Sequence, residues 1–147
     1  MAHVTDTRDN VFSATEGARV SISSEFAGGP LSGDFDYKKF NFEDRHYFKV
    51  GHAQVVATRA TLGYATGAMP ENALFRAGGI DTLRGYRDDQ FEGKRLLLGT
   101  VEYRYPIVNK VNGAVFTDFG NAWAEKYDLG DMKVSYGVGV MMDTKLG

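Results

Sequence analysis

Strict alternation of apolar and polar residues, sustained over runs of about 10 to 12 residues, is the feature that most limits what this chain can become. From Gly17 to Phe26, Ala18, Val20, Ile22, Ser24 and Phe26 fall on one face, while Arg19, Ser21, Ser23 and Glu25 fall on the other. The pattern returns from Gln54 to Ala65, with Val56, Thr58, Ala60, Leu62 and Tyr64 opposite Ala57, Arg59, Thr61 and Gly63. Three further runs follow at Lys94 to Tyr105, Val111 to Ala122 and Lys133 to Thr144, joined by short turns. A rougher run from about Lys39 to Val50 places Phe40 and Phe42 opposite Asn41 and Glu43. Asp44-Arg45-His46 interrupts it, which predicts a bulge near Arg45. No segment has a helical period. The expected fold is all-β, an antiparallel meander, with a reversal in the turn-former cluster Ala27 to Asp34.

Strands of this length, at about 3.3 Å per residue and a tilt near 45°, rise about 23 to 28 Å, the height of the apolar band of an outer-membrane barrel. Strands in soluble sheets are about half as long. The polar face, rich in Arg, Glu, Asp, Ser, Thr and Gly, suits a wet lumen. Tyr64, Tyr103, Tyr105, Tyr136 and Trp123 near strand ends suit an interfacial girdle. Periodicity alone does not distinguish inside from outside, and a soluble barrel would bury the same apolar face. Against that inversion stand the uniformly apolar face of long strands and the lack of any covering helix. Six strands leave two open edges, which lipid does not tolerate. The chain is therefore expected to be a partial barrel of about 6 to 8 strands, part of a larger barrel or a homo-oligomer joined through strand edges. Two copies would give about 12 to 16 strands.

Composition narrows the function classes. With 43% apolar and 24% charged residues, 18 Gly, 8 Tyr and 10 Phe against 3 Pro, the 147 residues are neither a disordered tail nor a helical membrane protein. Lys plus Arg is 17 against 19 for Asp plus Glu, a net charge of -2 that gives no reason to expect nucleic acid. The absence of cysteine removes disulfides, thiolate metal sites and a Cys nucleophile. Met1, Ala2 and His3 do not begin a secretory signal, so an exported form is expected to have lost its leader.

Between the third and fourth long runs, residues 66–93 have no period and carry Gly67, Pro70, Gly78, Gly79, Gly85 and Gly93. This connection is far longer than hairpin loops usually are, and long loops are commonly functional. Within it, Phe75-Arg76-Ala77-Gly78-Gly79-Ile80-Asp81-Thr82-Leu83-Arg84-Gly85-Tyr86 closely resembles the signature of the outer-membrane assembly factor superfamily, the BamA-type barrels or bacterial surface antigens. Asp6-Thr7-Arg8-Asp9-Asn10 with Gly17, Val101-Glu102-Tyr103-Arg104-Tyr105-Pro106, Phe116-Thr117-Asp118-Phe119-Gly120-Asn121 and Tyr136-Gly137-Val138-Gly139-Val140 resemble further family motifs in the same order.

The resemblance implies a 16-stranded barrel in the outer membrane of a Gram-negative bacterium, preceded by periplasmic POTRA modules. Its implied partners are membrane lipid and nascent outer-membrane protein clients that it inserts, assembles or translocates. Residues 1–147 would be the C-terminal portion of that transmembrane barrel, without the first seven strands or the final two after Gly147, and 66–93 its extracellular plug loop. The loop of the family folds back into the barrel, so the implied plug motif is Leu83, Arg84, Gly85 and Tyr86, with loop glycines Gly78 and Gly79. The implied acidic partners of Arg84 are Glu102 and Asp118 on the inner wall. Parity agrees, since both carboxylates fall on wet faces of adjacent strands, and a planar guanidinium can bridge two acids that would otherwise repel. Gly85 would let the backbone pass close to the wall, and Tyr86 would pack in the lumen.

Rival readings carry less. Glu102 and Asp118 could form a general acid and base pair, but no sugar platform accompanies them. His46 and His52 lack a third metal ligand. Gly137-Val138-Gly139 lies inside a strand rather than before a helix, and its glycines are expected to thin the wall beneath the loop. No G-x-S-x-G elbow occurs. The expectation is a protein that is not an enzyme, without cofactor or metal. The alternative to an insertase or translocase module is a small structural or pore-forming outer-membrane barrel closed by oligomerisation.

Overall fold

The computed structural model describes residues 1–29 and 33–142. Seven strands form one antiparallel sheet in the order β1 (Ala2–Asp6), β2 (Gly17–Ala27), β3 (Asp36–Gly51), β4 (Gln54–Ala68), β7 (Arg95–Val108), β8 (Val111–Trp123) and β9 (Lys133–Met142). Between β4 and β7, short strands β5 (Phe75–Ala77) and β6 (Phe91–Gly93) make a two-stranded hairpin within the loop. Every neighbour in the large sheet is also a neighbour in sequence, the meander that the five alternating runs predict. None of the helices among the described residues is long and apolar enough to cross a membrane, a statement that does not bear on strands.

Several elements differ from the sequence reading. Strand β1 is not foreseen by the sequence reading: its five residues are too few to carry a clear alternating pattern and none is buried, so its place depends on pairing Ala2 with Ser23 through Asp6 with Arg19. The long connection does not begin at Thr66, because β4 runs to Ala68, and it is not wholly irregular, because Phe75 pairs with Gly93 and Ala77 with Phe91. The bulge expected near Arg45 is absent. Pairing of β3 with β4 is continuous from Asp36↔Ala68 to Lys49↔Val55, and the register shifts only between Lys49 and Gly51. Asp44 and His46 break the hydrophobic pattern yet keep the strand regular by bonding to each other, His46 Nδ1 to Asp44 Oδ2 at 2.9 Å. Residues 30–32 of the turn cluster and 143–144 of the last run lie outside the described residues.

One face of the sheet is covered by the loop. Leu83, Phe75 and Ala77 of the loop pack with Ala65, Leu96, Leu98 and Ala122 of the wall, and Met69, Tyr86 and Phe91 border the cluster. Glycine makes the close approach possible: a Cβ at Gly63 would lie 2.7 Å from the Phe75 ring. The opposite, outer face is bare and apolar. Ile22, Phe42 and Leu62 are direct cross-strand partners on it, and all three are exposed, as are Val101, Phe119, Val134, Val138 and Val140 on its other strands. Tyr64 and Tyr136 are exposed on this face too, but the girdle expectation fails for Trp123. It is 8% exposed because Tyr127, from the β8–β9 connection, packs edge-on against it at 5.9 Å.

Candidate functional site: an arginine clamp between loop and wall

The loop motif lies where a sharp double turn holds it. Gly78 and Gly79 have φ of 120° and 97°, a region in which only glycine is unstrained, and a Cβ at Gly78 would overlap the Arg87 carbonyl. The Gly78 N–H donates to Thr82 Oγ1 at 2.8 Å and the Thr82 hydroxyl donates back to the Gly78 carbonyl at 2.9 Å. The Gly79 N–H is shared between the Leu83 and Tyr86 carbonyls at 3.2 Å each. These bonds fold residues 78–86 into a compact unit whose apolar corner, Leu83, is fully buried and whose charged corner is Arg84.

Arg84 reaches two strands. Its Nε donates to Asp118 Oδ2 at 2.7 Å, its Nη2 to Asp118 Oδ1 at 2.8 Å, and its Nη1 to Glu102 Oε2 at 2.7 Å. The Arg84 main-chain N–H adds a bond to Asp118 Oδ2 at 3.1 Å. Asp118 is 0% exposed and also accepts from the Thr100 hydroxyl at 2.9 Å, while Glu102 accepts from Arg104 Nε at 2.7 Å. Two parallel guanidinium bonds to one carboxylate, as Arg84 makes to Asp118, are the strong form of this interaction. Burial by itself would lower the Arg84 pKa, but the hydrogen bonds to Asp118 and Glu102 outweigh it and hold the value above the ordinary one.

The structure thus brings Arg84, Glu102 and Asp118 together, with Leu83 beneath the loop. Gly85 differs from its expected role: a Cβ there would meet only Ser135 at 3.9 Å, so its requirement is φ of 92° rather than close passage. Tyr86 packs edge-on against Phe91 at 5.4 Å and donates its hydroxyl to the Val134 carbonyl at 3.2 Å. Phe116 was not singled out, although it carries the clamp: the Arg84 guanidinium lies 3.3 Å above its ring centroid. The signal was available, a lone large aromatic on the wet face of its strand. Gly137 makes room for that ring, since a Cβ there would lie 2.7 Å from it, whereas Gly139 faces open space and has no such role. Among the described residues no cluster of His, Asp and Glu could hold a metal ion.

Comparison with known proteins gives this wall and loop a family. The model of the Omp85 superfamily domain matches residues 1–147. The chain belongs to the Omp85 superfamily. It is 35% identical over 121 residues to the outer membrane protein assembly factor BamA of Nitratidesulfovibrio vulgaris, covering 70% of this chain and 15% of that protein. It is 28% identical over 96 residues to the chloroplastic outer envelope protein 80 of Arabidopsis thaliana, covering 58% and 13%. Among solved structures, BamA from Haemophilus ducreyi lacking POTRA domains 1–3 matches with a TM-score of 0.84 at 19% identity, over 99% of this chain and 36% of that one. The chain therefore spans about a seventh of the length of these curated relatives, and the sheet is a partial β-barrel wall. Its location is the outer membrane of a Gram-negative bacterium. In an outer-membrane barrel the lipid-facing side is apolar and the interior polar, so the bare apolar face is the one that suits lipid and the loop-covered face the lumen.

Proposed function

We propose that this Omp85 wall segment serves the insertion, assembly or translocation of outer-membrane proteins, as the C-terminal part of a transmembrane barrel whose extracellular loop, the connection between β4 and β7, plugs the lumen. The supporting observation is the clamp: one loop arginine joined to acids on two adjacent strands, in a segment similar to BamA of Nitratidesulfovibrio vulgaris. Four charge-assisted hydrogen bonds at one residue fix the loop against the wall at a single register. A loop so fixed can brace the wall while neighbouring strands separate to admit a client strand. Membrane lipid and unfolded outer-membrane proteins are the partners in this reading. Glu102 and Asp118 act as anchors rather than as an acid and base, because both are engaged by arginine.

The outer edges of β1 and β9 bear no strand partner among the described residues, and backbone groups facing lipid must be paired. Further strands of a longer chain, or a second copy meeting edge to edge, complete the sheet. The test is client folding in lipid vesicles containing the full-length protein, with a urea-denatured outer-membrane barrel as substrate. Faster folding than in protein-free vesicles, reduced by Arg84→Ala and not restored by Arg84→Lys, is expected. A rate equal to that of empty vesicles would overturn the reading.

A further inference from the structure

On the lumenal face, Arg19, Arg45 and Arg59 are direct cross-strand partners on β2, β3 and β4. Side chains paired in this way stand about 5 Å apart at Cβ, where like charges repel. One carboxylate relieves the first two: Glu43 Oε1 accepts from Arg19 Nη1 at 3.2 Å and from Arg45 Nε at 2.8 Å. Arg59 has no carboxylate partner among the described residues. Its Nη2 donates to the main-chain carbonyl of Asp81, in the loop tip, at 2.6 Å, and its Nε is buried without a hydrogen-bond partner. The same row continues to Thr100 and Asp118, but both Asp118 oxygens serve Arg84 and Thr100, and Glu102 serves Arg84 and Arg104.

A cavity of about 170 Å³ opens among these groups, bordered by Arg45, Arg59, Arg104 and Tyr47 on the wall and by Asp81 and Thr82 on the loop. It combines an unpartnered buried N–H with guanidinium groups whose acids are already engaged. We propose that this cavity is an oxyanion site, binding a phosphate or carboxylate group through Arg59 and Arg45 with Arg104 beside them. An oxyanion accepts from several guanidinium N–H groups at once, which a halide of single-point charge does not match in geometry. Because Arg59 also holds the loop tip, occupancy stabilises the closed loop. The oxyanion is either free in the lumen or a carboxylate from another segment of the same barrel.

The test follows trypsin cleavage in the loop of the full-length protein in lipid vesicles, titrated with inorganic phosphate at constant ionic strength set by chloride. Variants Arg59→Met, Arg45→Met and Arg45→Lys are run in parallel; Arg45 borders the cavity but bonds to Glu43 rather than to the loop. A free oxyanion gives saturable protection, about tenfold at ten times the dissociation constant, that chloride does not give and Arg59→Met abolishes. A resident carboxylate gives no phosphate response, but faster cleavage in Arg45→Met that Arg45→Lys reverses. Either result supports the site and tells its source. Without an anion, removing the Arg45 charge relieves repulsion on Arg59 and leaves its bond to Asp81 in place, so unchanged or slower cleavage in Arg45→Met with no phosphate response, or equal protection by chloride, overturns the proposal. Client insertion enters none of these readouts, so the proposed function and the anion site fail independently.

Discussion

Arg84 and Asp118, 34 residues apart in sequence, are joined by three hydrogen bonds, one from the Arg84 main chain and two from its guanidinium. The main-chain bond means that Asp118 reads the loop's backbone as well as its charge. Asp118→Ala is therefore expected to cost more than Arg84→Ala, which keeps the Arg84 N–H but leaves Asp118 buried and short of partners. Each substitution should destabilise the closed loop on the order of 3 kcal/mol. A double-mutant cycle read by loop proteolysis checks the coupling, and additive effects would exclude a direct pair.

Phe116 lies directly beneath the guanidinium. Phe116→Leu keeps an apolar side chain and removes the π face, for a loss of about 1 kcal/mol, roughly fivefold in loop opening. Gly137→Val should act on the same contact by pushing the ring. If loop opening in Phe116→Leu matches the wild type, the ring is only filler.

The outer face of β3 offers a prediction of opposite sign. On this face β3 carries Phe40, Phe42, Asp44, His46, Phe48 and Val50, so an acid and a histidine, bonded to each other, lie between exposed aromatic side chains. Replacing both, Asp44→Val with His46→Leu, should stabilise the barrel in lipid vesicles by about 1–4 kcal/mol, since a desolvated pair is often weaker than apolar residues of similar size. His46→Leu alone leaves the acid unpaired and should destabilise. Equilibrium unfolding of both variants of the full-length protein against the wild type tests this, and a double variant no more stable than the wild type contradicts it.

Strong acid should loosen the β1–β2 turn. Asp9 accepts from the Thr15 hydroxyl at 2.6 Å and from the Thr15 and Glu16 amides at 2.9 and 3.1 Å, and these bonds, the hydroxyl's foremost, lower its pKa from 3.8 to about 2. A folded pKa below the unfolded one adds stability that is complete above about pH 4 and is lost as pH falls through about 2. Amide exchange at Thr15 and Glu16 should accelerate in that window, and Asp9→Asn should abolish the pH dependence. Exchange independent of pH beyond its intrinsic dependence would rule the bracket out.

Much of this was legible in the chain. Alternation over Gly17–Phe26 and Gln54–Ala65 gave strands whose polar faces the structure turns toward the loop, and the parity of Glu102 and Asp118 put both acids on one wall. What could not be read was register. Arg19, Arg45 and Arg59 each fall on a polar face, but only strand pairing sets them in one row. Asp44 and His46 read as a bulge because a one-dimensional pattern treats polar residues on an apolar face as an error. A side-chain pair satisfies them without a change of backbone. Strand β1, with no buried residue, carries no pattern of its own and forms only by pairing with β2.

The central claim is that Arg84 holds the loop to the wall. Hydrogen exchange of the full-length protein in lipid vesicles, wild type against Arg84→Ala, tests it most directly. The account predicts faster exchange confined to the loop, above all at Gly79 and Tyr86, whose amides bond within the motif, with β4, β7 and β8 unchanged. Loop exchange equal in the two proteins, or an increase spread evenly over the strands, would contradict it.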